Sequence, residues 1–263
     1  MAHDAATARS KVTNELKPMN TSLSTAVPAR GLSLYIPLVL LMVVFAIVGF
    51  WDDYFRDLIF GELHRRWLLH LHAAITLGWF VLVASQAYFA MTRRVALHVA
   101  VGRWGMWYGV AVAVIGLGFA MLLVAERAAA QGAASVERMF AAPLCDMGVF
   151  AVFLGGAWIT RRRPDYHKRF ILLASTALVI PGLGRMPWFN GTRSTAAADV
   201  IPFLLLWLSP VLIAMTVDWI RQRRVHGVYI FGMGVLVLLR YREILRQSDA
   251  WRDFMHWLAG VLT

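Results

Sequence analysis

The sequence predicts an all-α fold, a polytopic transmembrane bundle of about seven helices, and three observations carry that prediction. The 263-residue chain is 59% hydrophobic and only 16% charged, more apolar surface than one water-facing globule can bury. Its apolar residues come in long blocks, without the period-two alternation of a lipid-facing barrel. Its Lys and Arg residues sit in short clusters between those blocks, so the net charge of +11 speaks for orientation and lipid headgroups and against nucleic acid.

Residues 1–30 are polar, rich in Ala, Ser and Thr, and carry Arg9, Lys11, Lys17 and Arg30, the composition of a flexible tail. The first apolar block, from Leu32 to Trp51, is too long and too late for an ordinary cleaved signal peptide and stays as a helix. Blocks follow over Trp67–Met91, Trp104–Ala125, Met139–Thr160, Phe170–Gly184 and Val200–Val217. At about 1.5 Å per residue each can cross a core of about 30 Å, the fifth by starting at Pro164, whose fixed φ suits a first turn. A seventh block, Val225–Leu239, is shorter and ends in the charged stretch from Arg240 to Arg246.

The bundle is therefore expected over 31–240, followed by an interfacial C-terminal tail over 241–263, where Trp251–Leu262 mixes aromatic and charged residues. Residues 51–66 read as interfacial in the same way. The Ala/Gly-rich stretch 126–136 reads as a loop.

Lys plus Arg number 15 in the N-terminal tail and the connections 92–103, 160–169 and 219–226, against 7 in 51–66, 126–140 and 185–199, with 4 more from Arg240 to the C-terminus. That bias places the first group, and with it the N-terminus, in the cytoplasm of a cell with a bacterial-type inner membrane. A weak repeat joins Thr92-Arg-Arg…His98…Arg103 to Thr160-Arg-Arg-Arg-Pro…His167-Lys-Arg169. The arginines there read as topology markers; the histidines at corresponding places do not.

Ionisable groups at membrane depth are costly, and this points to two candidate sites. His72, which shares a helical face with Thr76, Trp79 and Gln86, and Asp146, the acidic residue well inside an apolar span, come to similar depth. With Arg185 nearby they are the expected catalytic set, and His72 with Asp146 the expected metal ligands. The bland reading of the three is packing: an Asp–His or Asp–Arg pair and a snorkelling Arg. His70 and His64 read as interfacial.

At the opposite face His98 and His167 begin two helices and are the expected cofactor ligands, since neutral imidazole suits haem b iron or a transition metal. The competing reading is binding of anionic headgroups beside Arg161, Arg162, Arg163, Lys168 and Arg169. The single Cys145 has no partner in the chain, and Gly-rich phosphate loops, His-Glu-x-x-His and Cys-x-x-Cys are missing.

The stretches His72…Gln86…Arg93-Arg-Val-Ala-Leu-His98…Gly102-Arg103, Leu144-Cys-Asp146, Tyr166-His-Lys-Arg-Phe170 and Gly184-Arg-Met-Pro187 resemble a broad group of uncharacterised bacterial polytopic membrane proteins over about residues 64–190. More distantly, histidines spread over the second, third and fifth helices look like membrane b-type cytochromes, in which four central helices carry haem between paired histidines. The first resemblance implies a helical core and brings no activity with it; the second implies haem ligation and, with it, a redox role. The chain departs from it at Asp146, where a second haem would want a ligand. Two other function classes stand beside this reading, a proton-coupled transporter using Asp146 and His72 and a non-catalytic scaffold subunit. The partners expected are lipids, anionic headgroups included, and an oligomeric or membrane-complex neighbour is compatible with all three.

Overall fold

A computed structural model describes residues 34–61, 67–186 and 197–263. The 1–30 tail, His64, Pro187 and most of the 185–199 connection lie outside those residues. The described chain is helical, with no strand among the described residues.

Helix α1 (Tyr35–Gly49) ends in a π-helical turn, Trp51–Phe55, that leads into α2 (Arg56–Phe60). The segments α3 (Trp67–Met91), α4 (Val95–Gln131), α5 (Ala141–Ile159), α6 (Pro164–Ala177), α7 (Ile180–Leu183), α8 (Ala197–Gln222) and α9 (Gly227–Leu238) follow. Two amphipathic pieces, α10 (Arg242–Gln247) and α11 (Asp249–Leu262), finish the chain. Helices α3, α4, α5 and α8 are long and apolar enough to cross a membrane, and α1 with its continuation to Phe60, bent by 63°, makes a fifth if counted as one span. The chain reads as a multi-pass membrane protein. The remaining two of the seven expected spans are helices too, but α6, with 14 residues, and α9, with 12, fall short of that length.

Helices α3 and α4 lie antiparallel, and their register follows from glycine. A Cβ on Gly102 would stand 3.1 Å from Gln86 Oε1, one on Gly109 2.9 Å from the Trp79 ring, and one on Gly116 3.9 Å from His72 Cε1. Three large residues of α3 at seven-residue intervals thus face three small positions of α4, which lets the helices approach closely. The middle of this stripe is closed by apolar packing, with Trp79, Phe150, Phe153 and Val112 all buried.

The fifth expected span is broken. Pro181 has no N–H to donate and crowds the carbonyl of Ala177, so α6 stops and a short turn leads to α7. At the break the Thr176 carbonyl accepts from Trp207 Nε1 at 2.9 Å besides the Val179 N–H at 3.4 Å, and the neighbouring Ser175 hydroxyl accepts from Trp79 Nε1 at 3.1 Å. Beyond the break, α1 crosses α7 at Gly49, where a Cβ would be 2.2 Å from the Gly182 carbonyl oxygen. In α8, by contrast, Pro202 and Pro210 lie within a continuous helix. The Ser209 hydroxyl donates to the Leu206 carbonyl at 2.7 Å, the group that Pro210 leaves without its usual N–H partner.

The stretch 126–136 is not a loop. α4 runs on to Gln131, since alanine is the strongest helix former and outweighs the polar Glu126 and Arg127, and it stops at Gly132, whose φ of +80° suits only glycine. At about 1.5 Å per residue the 37-residue helix is about 55 Å long, well beyond a bilayer core. Its projecting end packs Val124 and Ala128 against Val136, Phe140, Trp251, Met255 and Leu258, a second core separate from the main one. The C-terminal tail therefore docks on the protein along one face of α11, while Phe254, Trp257 and Val261 on the other face stay exposed.

Candidate functional site

Polar side chains gather at two ends of the bundle, separated by the Trp79 layer. One end collects the finish of α3, the start of α4, the finish of α5 and the start of α6. His98, in the first turn of α4, reaches back to α3, where its Nδ1 lies 3.2 Å from the Gln86 carbonyl oxygen. His167, in the first turn of α6, reaches back to α5, with Nδ1 2.9 Å from the Ala157 carbonyl oxygen. A carbonyl only accepts, so in both rings Nδ1 carries the hydrogen and Nε2 holds a lone pair. Neither Nε2 has a hydrogen-bond partner among the described residues. The two rings lie close enough for the charge of one to act on the other.

Beside His98 sits the carboxamide of Gln86, against Gly102 one turn along α4. Its Nε2 and Oε1 are both buried with no partner among the described residues. A buried amide left so costs on the order of 1–3 kcal/mol, which is recovered if a ligand supplies the missing partner.

Next to these rings, Arg169 is almost wholly buried. Its Nη2 and Nε donate to Asp218 Oδ2 at 2.6 and 3.2 Å, Nη1 donates to the Asp165 carbonyl at 2.5 Å, and the guanidinium lies 5.3 Å from the Tyr229 ring centroid. The Tyr229 hydroxyl in turn meets Tyr35 at 3.1 Å. The sequence reading missed this network because Arg169 belongs to a basic cluster that looks like a topology marker. The available signal was Asp218, an acid directly after the apolar block ending at Val217.

At the other end the expected constellation separates. Asp146 is buried in the first turns of α5, but its partner is Arg242 of α10, through Nη1 to Oδ1. It does not meet His72 or Arg185. The depths agree, yet the faces differ: Asp146 turns to α10, while the adjacent Met147 turns to Gly116 of α4, where His72 also points. The His72 ring stacks on Phe119 with centroids 5.0 Å apart and an 11° interplanar angle, and has no hydrogen bond among the described residues. Arg185 pairs instead with the exposed Asp53 at 3.0 Å, donates to the Pro181 carbonyl at 2.7 Å and covers the Phe50 ring at 4.6 Å. Among the described residues no hydrogen bond or ion pair joins Asp146 to His72, so no direct contact supports proton exchange or a shared metal between those two. Among the described residues no three His, Cys, Asp or Glu side chains come together as a metal centre. His70, expected at the interface, bonds through Nδ1 with the Tyr54 hydroxyl at 3.0 Å.

What this arrangement offers chemically is thus two presented imidazoles with an unpaired amide at one end, and one unbonded imidazole near a thioether at the other. Compared with protein-family models, with curated proteins and with solved structures, the chain matches none.

Proposed function

We propose that the chain is a multi-pass inner-membrane redox protein that holds haem b between His98 and His167. The observation that carries the proposal is the pair of Nδ1–H to carbonyl hydrogen bonds. A metal-ligating histidine commonly donates its other ring nitrogen to such an acceptor, which fixes the tautomer and the ring plane and raises the basicity of the free nitrogen. The unpaired Gln86 amide beside His98 fits a polar group of a bound molecule better than it fits an empty helix interface. When bound, haem iron would supply one-electron transfer. The protein's own residues fix the two ligands, on α4 and α6, through carbonyls of α3 and α5, exclude water through the Trp79 layer, and hold the nearby positive charge of Arg169 in a pair with Asp218.

The same reading assigns seven passes with the N-terminus in the cytoplasm. The charge count favours this orientation. The seven passes are supported by the alternation of α1, α3, α4, α5, α6–α7, α8 and α9 between the two ends: Tyr35 meets Tyr229 at the His98 end, whereas α9 leads toward Arg242 at the Asp146 end. The exposed arginines around His98 and His167 would then face anionic headgroups. Difference spectra of the purified protein test the haem, and cysteine labelling in intact cells at positions 93 and 162 tests the orientation. Labelling of both from outside would reverse it.

A further inference from the structure

The Asp146 end holds a second group of potential ligands that uses neither Asp146 nor Arg185. Gly116 is buried on the α4 face toward α3 and α5. A Cβ built on it would lie 3.1 Å from Met147 Sδ and 3.9 Å from His72 Cε1. The thioether and the imidazole therefore flank one small space, with Met147 Sδ at most about 7.0 Å from His72 Cε1, the ring carbon bonded to both nitrogens. Metal–nitrogen and metal–sulfur bonds of about 2.0 and 2.3 Å bring N and S about 4 to 4.5 Å apart on opposite sides of an ion, a separation that this bound allows. Phe119 stacks on the His72 ring and sets its plane, and no hydrogen bond among the described residues occupies either ring nitrogen.

We propose that His72 and Met147 bind a monovalent copper ion in the space kept open by Gly116. The donor types select the ion. A thioether is a soft ligand that hard cations such as magnesium, calcium and manganese ignore, and it suits Cu(I). Zinc asks for four ligands in a closed site, whereas a filled-shell monovalent ion is satisfied by two. Charge agrees with this, because a single positive charge is the least costly to place at this depth. The two nearby guanidiniums are each already paired, Arg242 with Asp146 and Arg185 with Asp53. The site stands independently of haem at the opposite end.

The test is anaerobic titration of the purified full-length protein with Cu(I) against bicinchoninate. One equivalent should be retained, and Met147→Leu, which keeps volume and apolarity, should weaken binding on the order of tenfold or more, as should His72→Ala. Cys145→Ser and His98→Ala should bind as the parent does. Parent-like binding by the Met147 variant overturns the proposal, and so does loss of binding in the Cys145 variant, which would assign the copper to the thiol. X-ray absorption at the copper edge gives a reading that needs no variant: one sulfur and one imidazole scatterer support the site, and thiolate-only or nitrogen-only shells overturn it. Haem at the same two residues, seen as a Soret band that Met147→Leu shifts, also overturns the copper assignment.

Discussion

At the His98 end, both imidazoles are tied through Nδ1 to the backbone of the preceding helix, and the buried charge beside them, Arg169, is closed by a two-point bond to Asp218. At the Asp146 end, His72 is steered only by Phe119, and the buried charge is closed by Arg242 from the short α10 that follows the bundle. The difference shows two ways of keeping a polar group inside an apolar bundle. A backbone carbonyl fixes a ring without adding charge and leaves one nitrogen free for a ligand. An opposite charge from a distant part of the chain neutralises the buried group and leaves it nothing to offer. In the proposed reading, ligand chemistry follows the histidines, while the Asp146–Arg242 and Arg169–Asp218 pairs fasten the last third of the chain to the middle third.

The largest effect expected from breaking this contrast is at the Asp146–Arg242 pair. Arg242→Ala leaves a buried carboxylate without its partner and should cost about 3–5 kcal/mol, measured by thermal or denaturant unfolding in detergent. Asp146→Asn should cost less, about 1–3 kcal/mol, since Arg242 is partly exposed and can turn to solvent. Equal, negligible costs would remove the fastening role.

The glycine stripe gives the next largest effect and discriminates along its length. Gly109→Ala places a Cβ 2.8 Å from Leu154 and 2.9 Å from Trp79 in the closed middle, where overpacking costs about 1–3 kcal/mol. Gly102→Ala meets only the end of the Gln86 side chain, so the same unfolding measurement should find it the milder of the two.

Gln86→Leu sharpens the reading of the His98 end. It removes an unpaired buried amide, so the cofactor-free protein should unfold at an equal or higher temperature, while the spectrum of the haem-loaded protein should shift. A cofactor-free protein clearly weakened by this change would mean that the amide has a partner in the fold.

The smallest effect concerns His226, which precedes α9 and caps it by accepting the Val228 N–H at Nδ1. Burial and the neighbouring Arg169 push its pKa below the ordinary histidine value. Its folded form thus binds protons less readily than the unfolded chain, so the contribution is fully present above about pH 6.5 and declines as pH falls below it. His226→Asn, which keeps a capping acceptor, should flatten that part of the stability–pH curve.

Much of the bundle was legible because it is written in local composition. Apolar length gave every main helix, and the His72, Trp79 and Gln86 spacing gave the face of α3 that meets α4. What was not legible depends on partners distant in sequence. Asp146 and Arg242 are 96 residues apart and Arg169 and Asp218 are 49 apart, and no periodicity joins them. Depth alone brought His72 and Asp146 together, but neighbouring residues on a helix differ by about 100°, which is why Met147 takes the place that Asp146 was expected to fill. The break at Leu178–Val179 could have been inferred from Pro181, but the continuity of α8 through two prolines shows that proline by itself does not decide.

The central claim rests on His98 and His167 acting as one ligand pair. The most direct measurement is the reduced-minus-oxidised spectrum of the full-length protein purified from haem-replete cells, beside His98→Ala and His167→Ala at matched yield. The account predicts a low-spin haem b spectrum in the parent and its loss in each single variant. Absence of haem from the parent, or an unchanged low-spin spectrum in either variant, would contradict it.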